Sequence, residues 1–139
     1  MERLIGILFA LSCIFLNFSC IDKNESKNND RSLSAYSAEI TLLDSVYDFG
    51  KLHIRREPYS YSFKFKNTGE VPAVILHAKP SCRCTSATYN KAPIGVGKND
   101  SVTVFFDTMK SEKGYFNKVV KISINSSKLY SLTVKGFVE

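Results

Sequence analysis

Two cysteines separated by one residue, Cys82 and Cys84, are the side chains in this chain best suited to chemistry. They lie in the stretch Ala78–Thr85, and Pro80 just before them interrupts a strand-like run. Thiols can form a disulfide, bind a soft metal ion or act as nucleophiles. Which of these applies depends on the neighbouring groups and on the compartment in which the protein resides.

A metal site would need more ligands than Cys82 and Cys84 supply, because zinc takes four in a tetrahedral arrangement. His77 lies five residues before Cys82, and His53 is the only other histidine. A strand histidine that is solvated or paired accounts for His77 without any metal. The sequence therefore predicts neither a metal site nor a cofactor, and it leaves His77, Cys82 and Cys84 as the residues that a metal would use.

Thiol catalysis needs a base beside the thiolate and a third group that orients the base. No Gly-rich oxyanion loop, Ser-His-Asp arrangement or catalytic carboxylate pair is discernible in the chain. Gly95 and Gly97 lack a strand-to-helix context and a following Lys-Ser pair, so they indicate a turn. We therefore expect that the protein is not an enzyme. A thiol-redox role stays open, although Cys82 and Cys84 lack the helix-start Cys-x-x-Cys pattern of that class.

The first nineteen residues have the pattern of an export signal. Arg3 precedes an apolar run from Leu4 to Phe18, which matches the n-region and h-region of a secretory signal. The run has fifteen residues, whereas a transmembrane helix needs about 20. We therefore interpret residues 1–19 as a helical signal peptide and expect the protein to be exported.

The signal ends at Ser19-Cys20, where a small residue stands directly before a cysteine. This ending resembles the lipobox of bacterial lipoproteins, with Asn17 at a position where that pattern prefers leucine. The resemblance implies cleavage before Cys20 and acylation of its thiol, so membrane lipid becomes a partner through Cys20. The protein would then be a lipid-anchored component of the bacterial cell envelope. A secretory signal cut near Cys20 without acylation is the alternative.

Residues 20–38 are polar and carry no periodic hydrophobic residues, so they predict a flexible tether. Residues 1–38 hold four basic and four acidic side chains, and the whole net charge of +6 therefore lies in residues 39–139. A basic domain can attract nucleic acid, anionic lipid or acidic glycans. Because the lysines are spread along the chain and no nucleic-acid motif occurs, we expect no nucleic-acid partner.

Residues 39–139 have the pattern of an all-β domain. The clearest signal is the run 59–66, in which aromatic residues alternate with serine and lysine. This period of two places Phe63 and Phe65 on a buried face and Lys64 on the opposite face. Other predicted strands cover Ile40–Leu42, Val46–Gly50, Val71–Lys79, Cys82–Tyr89, Val102–Phe106, Phe116–Asn125 and Leu129–Val138. About seven short strands separated by turn residues predict a single Ig-like antiparallel β-sandwich.

Two glycines mark irregularities within this pattern. Gly50 predicts a bend or bulge near the end of its strand. The segment Asn67–Glu70 has turn chemistry, and Gly69 within it is able to take a positive φ.

Several short motifs occur in an order that resembles one known family. They are Phe49-Gly50, Phe63-x-Phe65-x-Asn67-Thr68-Gly69, Ser81-Cys82-x-Cys84-Thr85, Pro93-Ile94 with Gly97, Gly114 with Phe116, Asn125 and Leu132-x-Val134-x-Gly136-x-Val138. The motifs look like the bacterial envelope family of Ig-like domains of unknown function marked by a Cys-Gly-Cys-Thr motif, here Cys82-Arg83-Cys84-Thr85. That family is distantly similar to Ig-like domains of the Hydin and major-sperm-protein type. The resemblance implies export, frequent lipoprotein signals and a sandwich fold, and it implies no established activity.

The number of cysteines favours a disulfide between Cys82 and Cys84. Cys13 leaves with the signal and Cys20 is acylated, so two thiols remain in an oxidising compartment. Residues two apart in an extended strand lie about 6.6 Å apart at Cα, near the upper limit for a disulfide. A bend at Arg83 would shorten that distance. A pair of free thiols is the alternative.

These observations predict an exported β-sandwich that acts as a binding or scaffolding module in the cell envelope. Sandwiches offer loops and edge strands to partners, and we expect a protein or a glycan as the partner. The alternative is a thiol-redox or metal-handling envelope protein that uses Cys82 and Cys84.

Overall fold

The computed structural model describes residues 37–139. The predicted signal peptide, most of the predicted tether and Cys20 lie outside the described residues, so these features stay predictions. The described residues form two four-stranded sheets and one turn of 3-10 helix, Thr108–Lys110. No helix between residues 37 and 139 has the length and hydrophobicity to cross a membrane. The predicted all-β sandwich is confirmed.

Eight strands make up the two sheets. They are β1 (Ile40–Leu42), β2 (Val46–Leu52), β3 (Tyr59–Asn67), β4 (Ile75–Pro80), β5 (Thr85–Tyr89), β6 (Asn99–Phe106), β7 (Gly114–Ile124) and β8 (Leu129–Val138). The first sheet has the order β1-β3-β6-β5, and the second has the order β2-β8-β7-β4. The strands predicted to begin at residues 71 and 82 begin later, at Ile75 and Thr85.

One strand pair departs from the predicted antiparallel arrangement. β2 pairs with β8 in parallel, with Val46 opposite Thr133 and Leu52 opposite Val138. The cause is the path of the chain. β1 pairs within the first sheet and β2 within the second. The three-residue link between them carries the chain from one sheet to the other without reversing its direction. The other strand pairs of the described residues are antiparallel.

The core lies between the two sheets and follows the predicted alternation. Phe63 and Phe65 of β3 are completely buried, whereas Lys64 between them is exposed. The inward side chains of β6, β7 and β8 alternate in the same way; the fully buried ones are Val102, Val104, Phe106, Val120, Ile122, Ile124, Leu132, Val134 and Val138. The predicted register of the aromatic strand is therefore confirmed.

Gly50 forms a bulge in β2, as its position predicts. It adopts a φ of 67°, and the register with β8 shifts between Asp48 and Lys51. The bulge brings the Gly50 carbonyl close to β8, where a Cβ added to Gly136 would lie only 2.7 Å from that oxygen. Glycine at position 136 therefore allows the bulged strand to pack against its neighbour.

Gly69 does not use the positive φ that is open to glycine in its turn. Among residues 37–139, positive φ angles occur at Gly50, Gly97 and Gly114. Gly69 is needed for space instead, because a Cβ there would lie 2.5 Å from the backbone nitrogen of Glu39. The Gly69 N–H donates to the Glu39 carbonyl at 3.0 Å, which draws the two backbones together.

Replacement of Phe63 by alanine tests the core register. Because the ring is completely buried, Phe63→Ala is expected to lower the free energy of unfolding by about 3–5 kcal/mol. Lys64→Ala is the matched control, and its exposed side chain predicts a change within about 0.5 kcal/mol. Denaturant unfolding of both variants measures the difference, and equal midpoints would contradict the register.

Candidate functional site

The Cys82–Cys84 pair lies where the chain crosses from one sheet to the other. β4 ends at Pro80 in the second sheet, and β5 begins at Thr85 in the first. The structure joins Cys82 to Cys84 by a disulfide with a Cα–Cα distance of 5.3 Å. The Thr85 N–H donates to the Cys82 carbonyl at 3.4 Å and closes a turn around Arg83. Because positive φ occurs only at glycines among the described residues, this turn accepts arginine at position 83.

Backbone hydrogen bonds attach this turn to both sheets. The Ser81 N–H donates to the Val119 carbonyl at 2.8 Å, and the Val119 N–H donates to Ser81 Oγ at 3.0 Å. On the other side, the Asp107 N–H donates to the Cys84 carbonyl at 2.8 Å. The crossover is therefore held to β7 of one sheet and to the end of β6 in the other.

Asp107 organises the segment that faces the turn. Its Oδ1 accepts the Met109 N–H at 2.9 Å, which caps the 3-10 helix, and its Oδ2 lies 3.0 Å from Lys110 Nζ. The hydrogen bond from Lys110, assisted by the Met109 N–H, holds the pKa of Asp107 below its usual value. Because its pKa is lowered, Asp107 keeps its negative charge at a pH at which a free aspartate is already protonated, and it loses that charge only at still lower pH.

A cleft lined mainly by basic side chains lies between the disulfide turn and the edge of β7. It has a volume of about 370 Å³, and we call it the cationic cleft. Its charged lining residues are Arg83, Lys110, Lys113, Lys118 and Glu112. Both cysteines also line it, and Cys84 is the more deeply buried of the two. Of these five charged side chains, only Lys110 forms an ion pair within 4.0 Å among residues 37–139.

A larger groove of about 700 Å³ lies beside the cleft on the outer face of the second sheet. We call it the aromatic groove. Its outward side chains form two rows that run across β2, β8 and β7. One row consists of Lys51, Phe137 and Tyr115, and the other consists of Asp48, Lys135 and Asn117. Tyr115 and Phe116 line both the groove and the cationic cleft. The two concave surfaces are therefore continuous.

Tyr115 is the most unusual residue of this surface. It is 91% exposed, although a tyrosine on a sheet normally gains from packing its ring. Phe137 on the neighbouring strand supports the ring edge-on, with centroids 4.9 Å apart. The result is an aromatic surface that faces solvent.

Charged side chains of the aromatic groove largely pair with one another. Lys135 Nζ lies 3.7 Å from Asp48 Oδ2, and Lys51 Nζ lies 3.6 Å from Glu139 Oε2. Such exposed pairs contribute little to stability and exchange partners easily. The groove is thus close to neutral, and the excess positive charge of the joint surface comes from the cationic cleft.

The groove and the cleft lie at the end of the sandwich opposite to the one where the described residues begin. Residues 37–40 lie beside Asn67 and Gly69, at the end of β3. The start of β3 pairs with the end of β6, with Tyr59 opposite Phe106, and the disulfide turn is attached there. The nine residues of β3 extend over about 26 Å. The domain therefore separates its entry point from the candidate site by about that distance.

The structure does not bring the candidate metal ligands together. His77 is exposed on β4, opposite Ser123, and Cys82 and Cys84 are occupied by their disulfide. His53 Nδ1 lies 3.4 Å from Glu139 Oε1 at the surface. Within residues 37–139, no group of three or more His, Cys, Asp or Glu side chains is placed to hold a metal ion.

Tyr115 and Phe137 were not identified by the sequence analysis as candidate site residues. A signal for both is present in the sequence. Phe116 and Val138 point toward the core, so the preceding residues Tyr115 and Phe137 point outward, to the side on which polar residues are expected. Aromatic residues on the outward phase of adjacent strands indicate a surface with a function other than core packing.

The model of one protein family matches residues 40–138, and its description is "Protein of unknown function (DUF1573)". The chain belongs to the DUF1573 family. The match extends from the first strand to the last, so the family corresponds to the whole β-sandwich. A search of curated proteins finds no match to this DUF1573 chain. Membership in a family of unknown function agrees with the resemblance described for the sequence, while the Cys-Gly-Cys-Thr motif and the likeness to Hydin stay predictions.

Solved structures share the fold of this DUF1573 domain. A protein of unknown function from Porphyromonas gingivalis W83 superposes with a TM-score of 0.65 at 20% identity, covering 78% of this chain and 51% of that one. The chain thus spans about half the length of that protein. PapD-like domain 7 of human CEP192 has a TM-score of 0.54 at 10% identity, covering 74% and 87% of the two chains. The periplasmic chaperone SfaE has a TM-score of 0.54 at 6% identity, covering 73% and 58%. At these identities the likeness shows the fold alone, which is an Ig-like, PapD-like β-sandwich.

Mass spectrometry of the alkylated, non-reduced protein tests the disulfide. Protein from an oxidising envelope is expected to carry no alkyl group on Cys82 or Cys84. Reduction is expected to lower the free energy of unfolding by only about 1–2 kcal/mol, because so short a loop restricts the unfolded chain little. The double variant Cys82→Ala/Cys84→Ala is the control for effects of the reductant. Two alkylated thiols in unreduced protein would contradict the disulfide.

Proposed function

We propose that this DUF1573 protein is an exported, lipid-anchored binding module of the bacterial cell envelope, and that it acts by binding rather than by catalysis. The observation that carries the proposal is the exposed Tyr115 ring beside Phe137 in the aromatic groove. A solvent-exposed aromatic pair in a concave surface is costly for a monomer and useful for a complex, because aromatic residues dominate the energetics of many binding sites.

The site is rigid, which favours binding. The Cys84 carbonyl accepts from the Asp107 N–H, and the buried hydroxyl of Thr108 exchanges two hydrogen bonds with the Arg55 backbone. These contacts hold the loops around the candidate site in one arrangement. A preorganised surface loses less conformational entropy when a partner binds.

The position of the site agrees with a lipid anchor. If Cys20 is acylated, the residues between it and Ser37 span at most about 60 Å when fully extended. The tether would enter the sandwich at the end near Gly69, and the candidate site lies at the other end. The anchor would therefore present the aromatic groove away from the membrane, toward a partner in the envelope.

Replacement of Cys20 tests the anchor. In a bacterial host that processes lipoproteins, the parent chain is expected to gain acyl mass and to partition into the detergent phase. Cys20→Ala is expected to partition into the aqueous phase, because a multiply acylated cysteine binds a membrane stably and the polar sandwich does not. Cys13→Ala is the matched control and should behave as the parent. If Cys20→Ala and the parent partition equally and neither gains acyl mass, the anchor is wrong.

Replacement of Tyr115 tests the binding function. In intact envelopes treated with a short cross-linker, the parent is expected to form cross-linked products that Tyr115→Ala forms at roughly one-tenth of that yield, since loss of an aromatic anchor commonly costs tenfold or more in affinity. Leu129→Ala is the control, because Leu129 is an exposed hydrophobic residue at the other end of the same sheet. Equal yields from all three proteins, with unchanged unfolding midpoints, would contradict the binding function at this site.

A thiol-redox function is the second candidate, and one observation favours it. Cys82 lines the cationic cleft and is only partly buried, so a partner thiolate could reach it. In such a reaction a partner dithiol would pass two electrons and two protons to the disulfide, leaving Cys82 and Cys84 as thiols and the partner as a disulfide. A mixture of alkylated and unalkylated cysteines in protein taken directly from the envelope would support this candidate.

A further inference from the structure

We infer that the aromatic groove and the cationic cleft together bind an acidic polysaccharide, that is, a chain of sugar rings with carboxylate, sulfate or phosphate groups. This inference rests on the proposed binding function and specifies the ligand class of the same site. Three features of the surface carry it, which are the exposed aromatic ring, the polar groups beside the ring and the charge of the adjoining cleft.

Tyr115 and the polar groups next to it have the chemistry that recognises sugars. The apolar face of a pyranose ring packs on an aromatic face, and Tyr115 offers such a face at 91% exposure. Asn117 and Lys135 lie opposite each other in the next row of the groove. Amide, ammonium and carboxylate groups donate to and accept from hydroxyls. A sugar stacked on Tyr115 would therefore meet hydrogen-bonding partners along its edge.

The cationic cleft adds a preference for negative charge. Four basic side chains and one acidic side chain line it, and Asp107 neutralises Lys110 at 3.0 Å. Arg83 and Lys113 are exposed and form no ion pair among the described residues. Since Tyr115 lines both the groove and the cleft, a polymer seated on Tyr115 can extend its acidic groups to these cations.

The backbone of β8 beneath the groove offers no free edge to an extended peptide. Peptides commonly bind sheets by adding a strand at a free edge. At the groove, β8 pairs with β2 on one side and with β7 on the other, so recognition over β8 must use side chains, as it does for sugars. β7 pairs with β4 only over Val120–Ile124, so an acidic peptide along residues 114–118 is the alternative that polyglutamate tests.

Binding of the full-length protein to immobilised polygalacturonate, dextran and polyglutamate tests the inference. Polygalacturonate combines sugar rings with charge, dextran has rings without charge, and polyglutamate has charge without rings. In neutral detergent at low salt, we expect polygalacturonate to bind about tenfold more tightly than either of the others, because both the ring and the charge contribute. Salt at about 0.5 M should weaken this binding, since the cations are solvent-exposed.

Two pairs of variants separate the site from general charge. Arg83→Gln/Lys113→Gln is expected to weaken polygalacturonate binding about tenfold. Lys64→Gln/Lys66→Gln removes the same charge from the outer face of the first sheet and should change affinity less than about twofold. Tyr115→Ala should weaken binding about tenfold, and Leu129→Ala should leave it unchanged. Unfolding midpoints of all variants establish that each protein is folded.

Three results would overturn the inference. If Arg83→Gln/Lys113→Gln and Lys64→Gln/Lys66→Gln weaken polygalacturonate binding equally, charge alone governs binding. Equal binding of polyglutamate and polygalacturonate would mean that sugar rings are not recognised. If no polysaccharide binds while cross-linking in the envelope still depends on Tyr115, the ligand is not a polysaccharide and the binding function stands. If the cross-linking also ignores Tyr115, both proposals fail.

Discussion

The stacking of Phe106 on Phe116 is the contact on which the candidate site depends. The two rings come from different sheets and lie nearly parallel, with centroids 3.9 Å apart and an interplanar angle of 11°. This contact closes the core at the end of the sandwich where β6 finishes and β7 begins. Because successive side chains of a strand point to opposite faces, an inward Phe116 forces Tyr115 and Asn117 outward. Gly136 leaves the space for the Phe116 ring, since a Cβ there would lie 2.9 Å from it. The exposed aromatic surface is thus a consequence of how the core closes.

The disulfide turn has a different role at the same end. The chain must pass from the second sheet to the first within the four residues between Pro80 and Thr85, and the hydrogen bonds of Ser81 and Cys84 fix where it crosses. A two-residue separation between the cysteines constrains little of the unfolded chain, so global stability does not explain the pair. The disulfide instead shapes the local wall of the cationic cleft and places Arg83 at its rim. The geometry of the cleft wall therefore depends on one covalent bond.

Much of the fold follows from local patterns in the sequence, while the site depends on contacts that those patterns do not encode. Alternation along β3 predicts that Phe63 faces the core, and Gly50 predicts the bulge, because both are properties of a single strand. The parallel pairing of β2 with β8 joins residues about 90 positions apart, such as Val46 and Thr133, and no local pattern specifies it. The need for glycine at position 69 is not encoded locally either, because the crowding comes from Glu39, just before β1. Tyr115 and Phe137 become a site only when β7 and β8 pair, so each one alone looks like an ordinary exposed aromatic residue.

The two ends of the sandwich are chemically different. At the entry end, Asn67 uses its side chain to satisfy backbone groups, donating to the carbonyls of Val71 and Ile94 at 2.9 and 2.8 Å. That end is closed by its own hydrogen bonds and offers a point of attachment for the predicted tether. At the far end, the exposed ring of Tyr115 and the basic side chains of the cleft face solvent. The β-sandwich lies between these two ends. It fixes the distance and direction between an attachment point and a binding surface, which is sufficient for a module whose proposed task is to hold a partner at a set distance from a membrane.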